Sequence, residues 1–374
     1  VSGTGIYVHL PFCPYICPYC DFAKWPMKKS SAVRYLAALR QEIARESPFT
    51  AQTIFFGGGT PNTYGAPEVV ALLEDLRARF DVRGEVSIEV NPELVQSEDC
   101  AAYAAAGIDR VSIGVQSLVP QEIHTLGRKH TLEDVLRVVS WARKAGIASV
   151  SMDLIFAVPG QTRESWRTTL RAALSMKPDH ISTYGLTVEE NTPFWQWRER
   201  EPGAFFDDAA EANFYEDAIQ ILGEHGYEHY EVSNFALPGH RCVHNENYWE
   251  NGEYRGFGVG AASYRDGERF VQTRSLDAYL EAVESGRPIP AERERLSGAA
   301  RTGEAAMLAL RTARGVRFED FNERYGINFL QFYAPVVEEM QEAGLLAFDD
   351  RHAWLTKRGR FLANDVCGAF VTFV

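Results

Sequence analysis

The chain has 374 residues, 45% hydrophobic and 24% charged, the balance of a folded protein with a large core and two or three domains. A formal net charge of −13 speaks against general nucleic-acid binding, which needs a basic face. No apolar run approaches the ~18 residues of a membrane helix. The first residues lack the basic start and apolar core of a signal peptide, and six scattered cysteines make no disulfide scaffold, so a reducing cytoplasm is expected.

Ile6–His9 reads as a short apolar strand. It runs into Cys13-Pro14-Tyr15-Ile16-Cys17-Pro18-Tyr19-Cys20, a C-x3-C-x2-C segment whose two prolines and lack of helical period make it a loop. Strand and helix patterns then alternate. Ser31–Glu46 has apolar residues at helical spacing, and Thr53–Phe56 is a short strand. Pro67–Phe80 is a helix with Pro in its first turn. Val86–Val90 alternates as a strand, and Ser97–Ala106 is a helix opened by Ser97. Val111–Val115 is a strand. Thr131–Ala145 is a helix with Thr131 as N-cap, Asp134 three residues on and Gly146 as its stop. Val150–Ile155, Glu164–Met176 and His180–Leu186 complete the series as strand, helix and strand. Such alternation predicts a parallel sheet covered by helices. Six units are too few for a closed eight-stranded barrel and suit an open, partial one, with chemistry at the C-terminal strand ends.

Residues 190–290 change character and are rich in aromatics. One helix is expected at about 207–225, a strand at His229–Val232, and a Gly-rich stretch up to Ser263. Ser285–Arg295, with Gly, two Pro and mixed charge, reads as a linker. Residues 297–374 read as three helices (Gly303–Ala313, Arg317–Tyr325, Leu330–Ala343) and a hairpin (Leu345–Phe348, Ala353–Leu355), a winged-helix pattern. The usual partner of that pattern is DNA, but Glu319, Asp320, Glu338, Glu339 and Glu342 make its helices acidic.

Three thiols in one loop are the sharpest chemical signal. Structural zinc usually takes four protein ligands, and no second Cys/His pair follows at finger spacing. An iron–sulfur cubane held by three cysteines keeps one iron free for an outside ligand. A redox pair, an open zinc site or three buried cysteines are the plainer alternatives. Gly57-Gly58-Gly59-Thr60-Pro61 follows the second strand. It is no Walker loop; it reads either as a tight turn or, beside the cysteine loop, as a place where an amino-acid amine meets the backbone. Glu89, Gln116 and Asp153 stand at or near strand ends, and Arg128 in a loop. Singly, each is more simply a surface or satisfied-core residue. Together they mark successive strand ends.

Tyr7-Val8-His9-Leu10-Pro11-Phe12-Cys13, the C-x3-C-x2-C loop and Gly57–Pro61 resemble a radical S-adenosylmethionine (SAM) protein. More narrowly they resemble the group of oxygen-independent coproporphyrinogen III oxidases and HemW proteins, over nearly the whole chain. The resemblance implies a [4Fe–4S] cluster on Cys13, Cys17 and Cys20, with SAM on the fourth iron. By position Tyr7, Tyr19, Gly58 and Glu89 would hold that SAM. Gly59, Thr60, Gln116, Arg128 and Asp153 would line the second SAM site described for the oxidases. The implied architecture is a partial (β/α)6 radical SAM barrel over 1–190, an α+β extension over 191–290 and a small winged-helix-like domain over 297–374.

Two departures choose between branches. The oxidases carry a fourth cysteine, where this chain has Phe22. The HemW branch lacks it and carries His-Asn-x-x-Tyr-Trp, here His244-Asn245-Glu246-Asn247-Tyr248-Trp249. That branch acts as haem chaperones delivering haem to respiratory haem proteins. The implied haem contacts are His244, Asn245, Tyr248 and Trp249, with His244 the first candidate for axial ligand ahead of Cys242, His240 and His229. Arg241, Arg255 and Arg265 are candidates to pair with the haem carboxylates. From spacing alone, the motif is a loop whose Tyr and Trp pack into the core while His caps a turn. Two function classes follow: a haem-binding delivery protein, or a radical SAM enzyme acting on a porphyrinogen or another substrate, of oxidase, methyltransferase or cyclopropanase type. Phe22 and the 244–249 motif favour the first.

Overall fold

A computed structural model describes residues 3–373. Six strands, Thr4–Leu10, Thr50–Gly58, Val86–Val90, Arg110–Gln116, Ser149–Phe156 and His180–Gly185, lie side by side in chain order and all pair in parallel. Their residues are mostly buried but alternate in kind: Val86, Ile88 and Val90, or Val111, Ile113 and Val115, form an apolar face, while Glu89, Ser112, Ser151, Asp153 and Ser182 put polar groups on the other. Five crossover helices, Lys29–Arg45, Ala66–Arg79, Ser97–Ala105, Leu132–Ala145 and Arg163–Ser175, separate them. Thr131 caps the fourth in a reciprocal capping box with Asp134, and Gly146 ends it in the left-handed conformation. The third helix departs from expectation: its cap is Gln96, not Ser97, because the Asp99 carboxylate accepts the Gln96 N–H at 2.8 Å.

The sheet continues past both edges of this series. Beyond His180–Gly185 comes the antiparallel pair Asn234–Ala236 and Glu228–Glu231. Beyond Thr4–Leu10 come Tyr254–Phe257, Ala262–Arg265, Glu268–Gln272 and Ala291–Arg295. One buried apolar cluster runs from Ile6 to Val283, so the middle of the chain shares the core of the first half. Two expectations fail here. The Gly-rich stretch contains a helix, Val243–Trp249, as well as strands. The 285–295 segment ends in a strand whose sequence, Ala-Glu-Arg-Glu-Arg, is polar on both faces. It is an outer strand paired on one side only, and its charges suit an exposed edge.

The C-terminal part has its own core around Phe329, Tyr333, Val337 and Phe370. Helices Gly298–Leu310 and Phe318–Tyr325 are followed by two short ones, Phe329–Phe332 and Ala334–Glu342, where one was expected; Pro335 in the first turn of the latter restarts the chain. A three-stranded antiparallel sheet joins Val316–Arg317, His352–Leu355 and Leu346–Phe348. Helices Lys357–Phe361 and Ala363–Val371, absent from the sequence reading, close the chain. Among the described residues no helix is long and apolar enough to cross a membrane.

Candidate cofactor site

The first strand ends at Leu10 and leads into Phe12–Cys13, which pairs with Trp25–Pro26. Trp25 N–H donates to Pro11 O at 3.0 Å and Met27 N–H to Cys13 O at 2.8 Å, closing residues 13–25 into a loop over the sheet's C-terminal edge. Phe194 N–H donates to Pro18 O at 3.1 Å from the far side. Cys13, Cys17 and Cys20 are all free thiols and all line one cavity of about 610 Å³. Burial pushes the Cys13 thiol up to about 11, against a hydrogen bond with Thr60, and burial raises Cys20 too. Iron binding must displace those protons. Among the described residues no three His, Cys, Asp or Glu side chains converge tightly enough for a single metal ion. A multi-iron cluster asks instead for thiols spread around a larger centre, and three free thiols around one cavity fit that demand.

The polar residues expected at strand ends meet in the same cavity: Tyr7, Tyr19, Gly58, Gly59, Thr60, Glu89, Gln116, Arg128 and Asp153 all line it. Gly58 N–H donates to Glu89 Oε2 at 3.2 Å. Burial, and then the Asp153 carboxylate, push the Glu89 carboxyl up to about 8 against that hydrogen bond. Asp153 is raised by burial, while its Oδ2 accepts from Ser112 Oγ at 2.9 Å. Two carboxyls that burial raises gain from a cationic ligand group, which favours their ionised forms. Gln116 has φ of 62°, a left-handed conformation rare for a residue other than Gly, where the fourth parallel strand turns into the cavity wall. Arg128 Nη2 donates to Asn91 Oδ1 at 2.9 Å and to Gly114 O at 2.7 Å; its Nε is buried without a partner. A wall with an orphaned guanidinium donor, acidic groups and free thiols fits a polar, charged cofactor.

The 244–249 motif forms the far side of this cavity. His244, Asn245 and Tyr248 line it; Trp249 does not. His244 is 1% exposed and stacked on Phe55, with ring centroids 5.1 Å apart. Its Nδ1 lies 2.7 Å from Thr53 Oγ1 and its Nε2 lies 2.7 Å from Tyr248 OH. Burial drives the imidazole down to about 3, so it is neutral. Trp249 faces two other cavities. One, of about 710 Å³, lies between the motif helix and the C-terminal helices; the other, of about 530 Å³, adjoins the first cavity along Tyr7, Asp21, Phe22 and Tyr248. Phe22 is 65% exposed and faces both of the adjoining cavities.

Other candidates stand elsewhere. Arg255 is tied to Glu46 at 2.6 Å and Glu42 at 3.1 Å, Arg241 to Glu228 at 2.9 Å, and Arg265 lies 4.0 Å from Glu46; none lines the two adjoining cavities. Arg269 and Arg274 line the smaller one instead. Arg269 stands on the strand Glu268–Gln272 and Arg274 just after it, in a part of the chain where the sequence analysis places no element. Cys242 lines the first cavity, whereas His229 stacks on Phe235 at 4.2 Å, away from it. Asn91, Ser112 and Tyr184 belong to the cavity wall and escaped the sequence reading. Asn91, directly after the third strand and before Pro92, carried the same strand-end signal as Glu89.

Residues 7–173 match the family model described as the Radical SAM superfamily, and residues 296–362 match the HemN C-terminal domain. The chain is 33% identical over 373 residues to the protein named "Heme chaperone HemW" of Bacillus subtilis (strain 168), covering 98% of each chain. It is 35% identical over 301 residues to the protein of that name in Escherichia coli (strain K12), covering 77% of this chain and 79% of the other. A Bos taurus protein named "Radical S-adenosyl methionine domain-containing protein 1, mitochondrial" is 32% identical over 365 residues, covering 93% and 83%. Among solved structures, coproporphyrinogen III oxidase (HemN) of Escherichia coli superposes with a TM-score of 0.86 at 22% identity, over 100% of this chain and 91% of that one. That likeness establishes the fold alone, a mixed α/β radical SAM fold with a helical C-terminal region.

Proposed function

The chain belongs to the HemW heme chaperone family of the radical SAM superfamily, and from that premise we propose that it binds haem and delivers it to recipient haem proteins, with a [4Fe–4S] cluster and SAM held in the cavity at the strand ends. The single observation that carries this reading is convergence. Cys13, Cys17 and Cys20 share one cavity with Tyr248 and His244, although more than two hundred residues of sequence separate them.

Cys13, Cys17 and Cys20 are the proposed cluster ligands. Tyr7, Tyr19, Gly58 and Glu89 hold the SAM that completes it, and Gly59, Thr60, Gln116, Arg128 and Asp153 line a second SAM position. The cluster, when bound, supplies an iron open to a chelating small molecule. The protein's part is placement. The Pro11–Trp25 and Cys13–Met27 hydrogen bonds fix the cysteine loop. Glu89 offers a carboxylate to a cationic group, and Arg128 braces Asn91 and the Gly114 carbonyl across the cavity wall. His244, Asn245, Tyr248 and Trp249 are the proposed haem contacts.

The domain bounds 1–190, 191–290 and 297–374 remain our working division. Six parallel strands in chain order support a partial (β/α)6 barrel, and six helices with a small three-stranded antiparallel sheet support a winged-helix-like terminus. Acidic residues on that terminus weigh against nucleic acid as a partner, and recipients such as respiratory haem proteins are the proposed ones. The test is transfer. Haem-loaded protein is mixed with a haem-free haem protein, and the acceptor's Soret band is followed. Haem appearing on the acceptor faster than it does from free haemin supports delivery; haem that stays on the donor sinks it.

A further inference from the structure

We propose that Tyr248, not His244, supplies the axial oxygen to ferric haem iron, with neutral His244 as the hydrogen-bond partner that positions the phenol oxygen. This inference rests on the haem-binding reading above and deepens it. Both ring nitrogens of His244 are already engaged, Nδ1 with Thr53 Oγ1 and Nε2 with Tyr248 OH, each at 2.7 Å. The imidazole sits behind Tyr248 against Phe55, 1% exposed. To bind iron through Nε2 it would have to give up its hydrogen bond to Tyr248, and it does not line the smaller of the two adjoining cavities.

Tyr248 is less hindered: its hydroxyl has one hydrogen bond, to His244, and an oxygen can keep that bond while binding iron. Its ring stands at 84° to the imidazole and at 87° to Tyr254, and it faces both adjoining cavities. The smaller of these, about 530 Å³, lies in the size range of ligand sites and is walled by Tyr7, Phe22, Tyr254, Val271 and Leu308. Flat apolar walls suit a macrocycle. Arg269 and Arg274 on the same cavity are cations for its carboxylates, each now held by a protein carboxylate: Glu304 at 2.5 Å and Asp21 at 3.3 Å. Tyrosine is an established axial ligand of haem iron in other proteins.

The phenol O–H bond breaks and an Fe–O bond forms. The proton leaves to water in the cavity that Tyr248 lines. His244 stays neutral, with Nε2 hydrogen-bonded to the coordinated oxygen and Nδ1 to Thr53 Oγ1. No electron moves, and iron remains ferric. His244 is thus a positioning residue toward the metal, as partners of metal ligands commonly are.

The experiment compares wild type, Tyr248→Phe, His244→Ala and His244→Gln, each with its iron–sulfur cluster reconstituted, by titration with ferric haemin. Resonance Raman reads tyrosinate modes and absorbance reads the tyrosinate-to-iron charge-transfer band. Wild type shows both, and Tyr248→Phe loses both. His244→Ala keeps them while losing about tenfold or more in affinity, and His244→Gln recovers part of that loss. A thermal melt and the iron–sulfur spectrum of each variant show that the fold is retained. The inference is overturned if Tyr248→Phe keeps the wild-type haem spectrum, or if wild type shows bis-nitrogen or thiolate ligation. Those results leave the haem-binding reading standing. A wild type that binds no haemin defeats both.

Discussion

A Cβ built on Gly58 would lie 2.3 Å from Nδ1 of His9. The Gly-Gly-Gly run is therefore shaped by the protein's own neighbours as well as by any ligand. Gly58 has φ of +106°, a conformation that side chains resist, and His9 behind it is fixed between Tyr7 OH at 3.0 Å and Ala23 O at 2.7 Å. Gly58→Val accordingly destabilises the chain with no SAM present. The combined strain and overpacking cost is about 2–4 kcal/mol. Thermal melts of the SAM-free protein check this; an unchanged midpoint contradicts the packing described. Loss of SAM binding in this variant is then no clean sign of a lost contact, and Thr60→Val is the better probe of the loop.

Glu89 sets a pH dependence. In the ligand-free fold its carboxyl stays protonated up to about 8, whereas an unfolded chain ionises it at its ordinary value of 4.5. Between those values unfolding releases a proton, so the group's penalty grows as pH rises through that window and is complete above it. Glu89→Gln removes the penalty and keeps an acceptor for Gly58 N–H. Its melting midpoint should match wild type below pH 4.5 and exceed it increasingly up to pH 8. An advantage that shrinks as pH rises would show that the carboxyl is not held neutral.

Replacing Cys13, Cys17 and Cys20 by Ala together should abolish the brown colour of anaerobically reconstituted protein and reduce bound iron from about four atoms per chain to background. Cys100, Cys242 and Cys367 stand outside that loop and are buried. Cluster retention in the triple variant would move the ligand assignment to one of these.

Phe22 is exposed, at the position where the oxidases carry a fourth cysteine, and a benzyl side chain can neither ligate iron nor give up a thiol hydrogen. Incubation of the reconstituted protein with coproporphyrinogen III, SAM and a reductant should form no protoporphyrinogen above a protein-free control. Phe22→Cys should not create that activity. Product from wild type would restore the enzyme reading.

Much of this was legible in the sequence, for physical reasons. The parallel strands announce themselves by apolar, largely β-branched residues at every second position, as Val86, Ile88 and Val90 do, and crossover helices announce their caps, as Thr131, Asp134 and Gly146 do. Glu89 and Asp153 stood out because a carboxyl is foreign to such a strand. What stayed hidden depended on partners distant in sequence. Ala291–Arg295 is polar on both faces, and only its pairing with Glu268–Gln272 makes it a strand. Val243–Trp249 is too short for a helical period to show. Arg255 looked available for a ligand until Glu42 and Glu46, more than two hundred positions away, occupied it. The pairing of His244 with Thr53 spans 191 positions, and no local pattern encodes it.

The most direct test of the central claim is a haemin titration of the wild-type protein with its iron–sulfur cluster reconstituted, followed in the Soret region with bound haem quantified after gel filtration. A haem-binding protein gives a saturable Soret shift at about one haem per chain, with the iron–sulfur absorbance unchanged and haem co-eluting with the protein. Haem that separates from the protein on the column, or binds only as the cluster is lost, would contradict that claim.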